Sequence, residues 1–314
     1  MNPKDTNSKM KTFLRRTKAL IACRLYNLFK NERFFWLKTT ALYEMNCGCA
    51  LKYPPRLITE KLMWLTRYWQ HPLKTQCADK YLVREYVEEK GLKHLLIPLI
   101  AVFDSAEEID FSVLPQRFVL KCNHGSGYNI IVKNKDEEDE SAVKNSFAEW
   151  LKRDYSELLG EVQYHLIPRK IVCEELLSAQ APMEYQFWCV NGEPDSMLVC
   201  RKNHDGTYDA YSCSCAFEQL FERIGETKMP DDLQKPAKLN EMIEYARILS
   251  KDFPFVRVDF YYVNGRVYFA ELTFTPGCNY FSSYPDSFKV RLGDKLVLPE
   301  AIDPLPFKQK VQSK

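Results

Sequence analysis

Residues 255–277 read Phe-Val-Arg-Val-Asp-Phe-Tyr-Tyr-Val-Asn-Gly-Arg-Val-Tyr-Phe-Ala-Glu-Leu-Thr-Phe-Thr-Pro-Gly, and this stretch leaves few folding options. Val256, Val258 and Phe260 alternate with polar residues, as do Val267 and Phe269, so each run predicts a strand with one apolar face. Asn264-Gly265 between them supplies the positive-φ pair of a two-residue hairpin turn. The hairpin sets two acids, Asp259 and Glu271, on paired strands that are otherwise apolar. Carboxylates there are costly unless a cation offsets them. Mg²⁺ shared with nucleotide phosphates is one such cation, and Arg257 or Arg201 at a solvated sheet face is the simpler one.

The chain has 314 residues, 46% of them hydrophobic, which suffices for a sizeable core in about two domains. A net charge of +2 excludes a general nucleic-acid-binding surface, but the charge is uneven. Between Lys9 and Lys38 stand nine lysines and arginines against a single acid, Glu32. That segment also carries Phe34, Phe35, Trp36 and Leu37, the composition of a helix lying on an anionic membrane or packed on a partner. Because its charge is not confined to one helical face, packing within its own domain is the favoured expectation, with peripheral membrane contact through residues 9–38 as the alternative. The eleven cysteines are odd in number and scattered among apolar neighbours, as expected for reduced core residues. The pairs Cys47/Cys49 and Cys213/Cys215 lack zinc-site spacing. No apolar run approaches the length of a spanning helix, and no signal-peptide pattern opens the chain, so the expected compartment is the cytoplasm.

Helical spacing dominates residues 11 to about 90, interrupted at Pro54-Pro55, and thereafter the texture becomes mixed. Strands are predicted at 117–122, 128–133, 169–174, 184–191, 195–202, 255–263 and 266–273, with helices near 139–153 and 235–250. The expected organisation is a basic helical region over 1–75, a first subdomain over 76–180 and a second over 181–314. The acidic run Asp136 to Glu140 is read as the solvated start of a helix.

Two further segments carry chemistry. Arg117-Phe-Val-Leu-Lys121 ends a strand on a lysine and is followed by Cys-Asn-His-Gly-Ser-Gly-Tyr-Asn129. Gly125 and Gly127 let backbone N–H groups approach an anion, Ser126 adds a hydroxyl and Lys121 a point charge. This is not a Walker loop, since Gly-Lys-Ser/Thr is absent and a strand follows. Arg169-Lys-Ile-Val-Cys-Glu174-Glu175 leaves two acids at a strand end, where they could read a ribose hydroxyl or an adenine amine.

The order of these segments, from Asp79-Lys80 through Lys121 and the glycine loop, Glu174-Glu175, and Arg201 to the Asp259/Glu271 hairpin, resembles the ATP-grasp superfamily. It is most similar to the TupA-like ATP-grasp family of surface-polysaccharide gene sets, over roughly residues 55 to 300. The resemblance implies an α/β (α+β) ATP-grasp fold behind a helical N-terminal region. It implies Lys80 and Lys121 on the nucleotide phosphates, Gly125, Ser126 and Gly127 closing over them, and Glu174 or Glu175 on the adenosine. Asp259, Glu271 and Thr273 would hold Mg²⁺, with Thr273 standing where many ATP-grasp enzymes carry asparagine. Arg201 would meet the phosphoryl group in flight, and His124 could move a proton from an incoming amine. The implied activity is an ATP- and Mg²⁺-dependent carboxylate–amine ligase with a saccharide or uronic-acid acceptor and an amine donor. Tyr280, Phe281 and Tyr284 are candidate sugar-stacking residues. The alternatives are an ATP-dependent phosphotransferase or a glycosyltransferase, the latter disfavoured because no Asp-x-Asp occurs, and, of another class, a nucleotide-binding scaffold at the membrane.

Overall fold

A computed structural model describes residues 3–202, 207–221, 228–231 and 233–302. In chain order the helices are α1 (Pro3–Phe29), α2 (Glu32–Cys47), α3 (Ile58–Tyr68), α4 (Pro72–Ala78), α5 (Val83–Glu89), α6 (Glu140–Leu151), α7 (Ser156–Leu159), α8 (Leu239–Ser250) and α9 (Asp286–Lys295). The strands are β1 (Leu99–Phe103), β2 (Phe118–Cys122), β3 (Asn129–Val132), β4 (Ile171–Glu175), β5 (Met183–Val190), β6 (Glu193–Lys202), β7 (Tyr208–Ser214), β8 (Gln219–Phe221), β9 (Phe255–Val263) and β10 (Arg266–Thr273). The mixed helix-and-sheet architecture is the one expected from sequence. Strands β7 and β8 were not expected, because Tyr208-Asp-Ala-Tyr-Ser-Cys-Ser carries only a weak period-two apolar signal.

The chain divides into two compact units, the first comprising 1–70, 156–162 and 275–314, the second 71–155 and 163–274. In the first unit Asn31 caps α2 by accepting the Phe34 N–H at 3.1 Å, and Gly48 ends that helix in the left-handed conformation. Small residues bring α1 and α2 together: Ala19, Ala22 and Ala41 are buried with Leu42 and Met45 beside them. A second cluster joins Tyr26, Phe35 and Trp36, with the Tyr26 hydroxyl donating to Glu157 at 3.0 Å. Phe281 and Tyr284 are buried, and Tyr284 stacks on Phe288 at 5.1 Å, so these rings serve packing.

The second unit holds two antiparallel sheets, ordered β1-β4-β2-β3 and β10-β9-β5-β6-β7-β8. In the four-stranded sheet Phe118, Leu120, Cys122, Ile171 and Cys173 form one face and pack with Val143 and Phe147 of α6. Strand alternation therefore sends Lys121 and Glu174 to the opposite face. In the six-stranded sheet Val258 and Phe260 lie on the apolar face, and Tyr245 of α8 meets Phe260 ring to ring at 6.4 Å. Arg257, Asp259 and Tyr261 occupy the other face.

Glycine at 293 in α9 is dictated by contact within the first unit. A Cβ there would stand 2.1 Å from the Arg56 carbonyl oxygen. Gly293→Ala should lower the unfolding free energy by about 1–3 kcal/mol. Urea titration checks this: the midpoint should fall with the slope unchanged.

Candidate active site

Lys80 is placed by a short relay of buried polar groups. At the end of α4, Asp79 Oδ1 accepts the N–H of Tyr81 at 2.7 Å and of Leu82 at 3.2 Å, turning the chain toward α5. Asp79 Oδ2 accepts from Asn123 Nδ2 at 3.0 Å, and Asn123 also donates to the Pro168 carbonyl at 2.8 Å and accepts from the Lys170 N–H at 2.9 Å. Asp79 and Asn123 are both buried. The Lys80 N–H reaches the Asn123 carbonyl at 3.2 Å, and Nζ donates to the Gly125 carbonyl at 2.8 Å. Lys80 is thus held against the glycine loop, although 45 residues separate it from Gly125. Gly127 has φ +77°, and a Cβ on Gly125 would meet the Tyr155 ring at 2.6 Å, so one glycine answers to backbone conformation and the other to packing.

Lys121 Nζ stands 2.7 Å from Glu174 Oε2, and Arg84 Nη1 stands 3.1 Å from Oε1 of the same carboxylate. Two cations therefore share one acid, leaving a positive surplus on this wall. Glu175 next to it is exposed, and its backbone N–H bonds the Pro98 carbonyl at 3.1 Å.

The β9–β10 hairpin pairs Asp259 with Glu271, as expected, but through a bulge rather than through regular alternation. Phe269 pairs with Phe260 and Glu271 with Asp259, so Ala270 is the extra residue. In regular pleating Glu271 would share the apolar face of Phe269; the bulge turns it to the side of Asp259. There a single buried guanidinium gathers the acids. Arg257 Nε donates to Asp259 Oδ1 at 2.8 Å and Nη2 to Oδ2 at 2.5 Å. Nη2 also reaches Thr273 Oγ1 at 3.1 Å and Glu271 Oε1 at 3.4 Å, while Thr273 Oγ1 donates to Glu271 Oε1 at 2.8 Å. The Arg257–Asp259 pairing was foreseen, but on a solvated face; Asp259 is instead fully buried.

Charge balance explains the protonation behaviour. Burial would lower the Arg257 pKa, yet Asp259, Glu271 and Glu184 hold it above its ordinary value. Burial raises the carboxyl of Asp259 against the downward pull of Arg257, and it raises Glu184 likewise. Glu271 shifts the other way: burial pushes it up, but Lys80, Arg257, the Thr273 hydroxyl and Lys121 together bring it below the usual glutamate range. Lys80 Nζ stands 3.7 Å from Glu271 Oε2.

These walls enclose a cavity of about 330 Å³. Lys80, Arg84, Lys121, Ser126, Gly127, Glu174, Tyr261 and Glu271 all line it, six of them among the twelve site residues singled out from sequence. Others stand apart from its lining. Arg201 on β6 donates to Asp209 at 3.0 Å. His124 is buried beside the Trp150 carbonyl at 3.3 Å, and burial, reinforced by Arg169, pushes its pKa down to about 4. Asp259, with its partner Arg257, and Gly125, Glu175 and Thr273 also lie outside the lining. Arg84, Arg257 and Glu184 were not singled out as site residues. Arg257 was detectable, since a residue two positions from Asp259 on one strand shares its face; Arg84 and Glu184 meet the others only through tertiary folding.

The sequence model of the TupA-like ATP-grasp family matches residues 60–297, which includes every one of these side chains. The chain belongs to the TupA-like ATP-grasp family. Among solved structures, this ATP-grasp chain is similar to a D-alanine–D-alanine ligase from Bacillus anthracis, with 19% identity over 70% of this chain and 65% of that one and a TM-score of 0.45. It is also similar to an L-amino acid ligase from Bacillus licheniformis, with 13% identity over 91% and 63% of the two chains and a TM-score of 0.45. It spans less than two thirds of the length of each. A search of curated proteins found no match.

A divalent cation fits the polar face of this ATP-grasp sheet on charge grounds. Asp259, Glu184 and Glu271 surround one guanidinium, three acids to one cation; burial, more than their mutual repulsion, raises the pKa values of Asp259 and Glu184. Among the described residues no three His, Cys, Asp or Glu side chains converge as a complete metal site. Mg²⁺ takes one or two carboxylates and completes its shell with phosphates and water, a demand that the hairpin acids can meet. Glu271, beside Thr273, is the carboxylate open to the cavity.

Arg257→Leu should cost about 3–5 kcal/mol of stability, because Asp259 is left buried without its counter-charge. The double variant Arg257→Leu/Asp259→Leu should recover most of that loss, as read by denaturant titration of the singles and the double. His124 supplies a pH signature. Its folded pKa lies below the ordinary 6.5, so the unfolded chain binds the proton more readily. Its contribution is present in full above pH 6.5 and is lost as the pH falls toward about 4, a change of about 3 kcal/mol. His124→Gln should flatten the stability–pH curve across that window.

Proposed function

We propose that this protein is an ATP- and Mg²⁺-dependent ligase that joins a carboxylate to an amine in the modification of a cell-surface polysaccharide. The γ-phosphoryl group of ATP passes to the carboxylate oxygen, releasing ADP. The amine then attacks the acylphosphate carbon, expelling inorganic phosphate as the C–N bond forms. The observation that carries this reading is the single cavity in which Lys80 and Lys121, from distant segments, face Glu271 from the bulged hairpin. Family membership supplies the reaction class, and the polysaccharide context rests on the resemblance of the motifs.

In this reading Lys80 and Lys121 contact the phosphates, and the loop from Gly125 to Gly127 covers them. Glu174 orients Lys121 and Arg84 through the ion pairs it makes with both. Glu175, at the exposed end of β4, is available to the adenosine hydroxyls. Glu271 and Asp259, with the Thr273 hydroxyl, hold Mg²⁺, whose chemistry is to neutralise phosphate charge. Arg201, which pairs with Asp209 at 3.0 Å, remains the candidate for the phosphoryl contact, and Arg257 fixes the hairpin acids through its bonds to Asp259, Thr273 and Glu271. Catalysis would come from positioning and charge neutralisation rather than from a protein nucleophile. His124, buried and neutral, is assigned no proton transfer. The acceptor is a saccharide or uronic-acid carboxylate and the second substrate an amine.

Turnover of MgATP against a panel of uronic acids, amino acids and amines tests this, with ADP and phosphate followed separately. Both should appear only when a carboxylate and an amine are present together. ADP with a phosphorylated acceptor and no free phosphate would instead establish a phosphotransferase, and failure to bind MgATP would end the nucleotide reading. Lys121→Ala should weaken MgATP binding roughly ten- to a hundredfold, the worth of a charge-assisted contact. Glu271→Gln should bind MgATP within a few-fold of the parent yet lose about 10²–10³ in turnover.

A further inference from the structure

Helix α1 presents an apolar stripe that its own unit does not cover. Its buried side chains, Ala19, Ala22 and Tyr26, pack with α2 residues on one side. On the other side Met10, Phe13, Leu14, Leu20, Ile21 and Leu28 are each more than half exposed. Met10, Leu14, Ile21 and Leu28 follow at intervals of four and then seven, so at about 100° per residue they fall along one line of the helix.

The cations are arranged about this line. Lys11 and Lys18 lie about 80–100° to one side of it, and Lys9 and Arg16 about 100–120° to the other. Arg24 lies between Leu20 and Leu28, with a stem long enough to run along apolar surface while its head stays in water. Lys18 leans toward Glu44 at 2.5 Å. Arg16, Lys11 and Arg24 are exposed and make no ion pair among the described residues. Wound on the helix, Lys9, Lys11, Arg16 and Lys18 form two flanking rows and Arg24 an interior cation, while Arg15 falls on the side of α2, its guanidinium beside Gly48.

We infer that α1 lies in the headgroup layer of an anionic bilayer, its Met10–Leu28 stripe buried toward the acyl chains and its lysines and arginines on the lipid phosphates. An apolar stripe bordered by basic residues is what an interfacial helix requires. No described helix is long and apolar enough to cross a membrane, so the contact is one of lying on the surface. Charge also selects the occupant. From Lys9 to Phe29 there is no aspartate or glutamate, so pairing the stripe with a second copy would oppose like-charged rows. An anionic lipid surface complements both rows together. The inference is independent of the ligase reading.

Flotation of the full chain tests it, using vesicles of phosphatidylcholine alone and of phosphatidylcholine with about one third phosphatidylglycerol, at about 0.1 M and 0.5 M salt. The chain should float only with the anionic vesicles and should partition less at high salt. Leu14→Ser/Ile21→Ser and Arg16→Glu/Arg24→Glu, all at exposed positions, should each reduce partition about tenfold or more while circular dichroism and MgATP affinity stay unchanged. Absence of binding to anionic vesicles would overturn the proposal, as would binding that both variants retain. A dimer that Leu14→Ser/Ile21→Ser converts to monomer, with vesicles ignored, would assign the stripe to a second copy instead.

Discussion

The second unit is organised around the buried pair of Arg257 and Asp259. A guanidinium and a carboxylate taken out of water are costly unless every donor and acceptor is used. Here both Asp259 oxygens accept from Arg257, whose Nη2 extends to Thr273 and Glu271. That demand explains why one face of the six-stranded sheet carries polar residues while the other is apolar and faces α8. It also gives the Ala270 bulge its consequence. Without the extra residue Glu271 would point into the apolar layer, and the acid nearest the cavity would be lost. A stable arrangement and a negatively charged wall come from the same side chains.

The opposite wall is assembled by the buried Asp79–Asn123 hydrogen bond together with the Glu174 ion pairs to Lys121 and Arg84. Asn123 uses its amide on Asp79, Pro168 and Lys170, tying the turn before α5 to the loop after β2. Lys80 and Lys121 are thereby presented to one space from separate segments. Each retains an acid nearby, Glu271 for Lys80 and Glu174 for Lys121, so the site is electrostatically poised in the absence of phosphates. A polyanion entering this cavity would compete for cations already oriented, which reduces the ordering cost of binding.

Much of this was readable beforehand. The paired runs 255–263 and 266–273 matched the observed strands because alternation and Asn264-Gly265 both act over a few residues. Lys80, Lys121, Ser126, Gly127, Glu174 and Glu271 do share one cavity. His124 and Arg201 illustrate the limit. His124 sits beside the glycine loop in sequence but turns under Tyr128 and Trp150, and Arg201, far from the other site residues in sequence, pairs with Asp209. Helix α1 shows a different limit: its basic and apolar residues were visible in the sequence, but which side α2 covers and which apolar side chains stay exposed is seen only in the packed chain.

Local pattern therefore settled most of the strands, though not β1, β7 or β8, together with the hairpin turn, the glycine loop and the roster of charged residues, because periodicity and turn chemistry depend on neighbours within a few positions. Tertiary structure alone decided which of those charges meet. The bulge that turns Glu271, the burial that binds Asp259 to Arg257, the Asp79–Asn123 bond that brings Lys80 to the loop, and the side of α1 left uncovered all depend on contacts between distant segments. Desolvation and hydrogen-bond partnering are properties of the packed chain, and no local spacing encodes them.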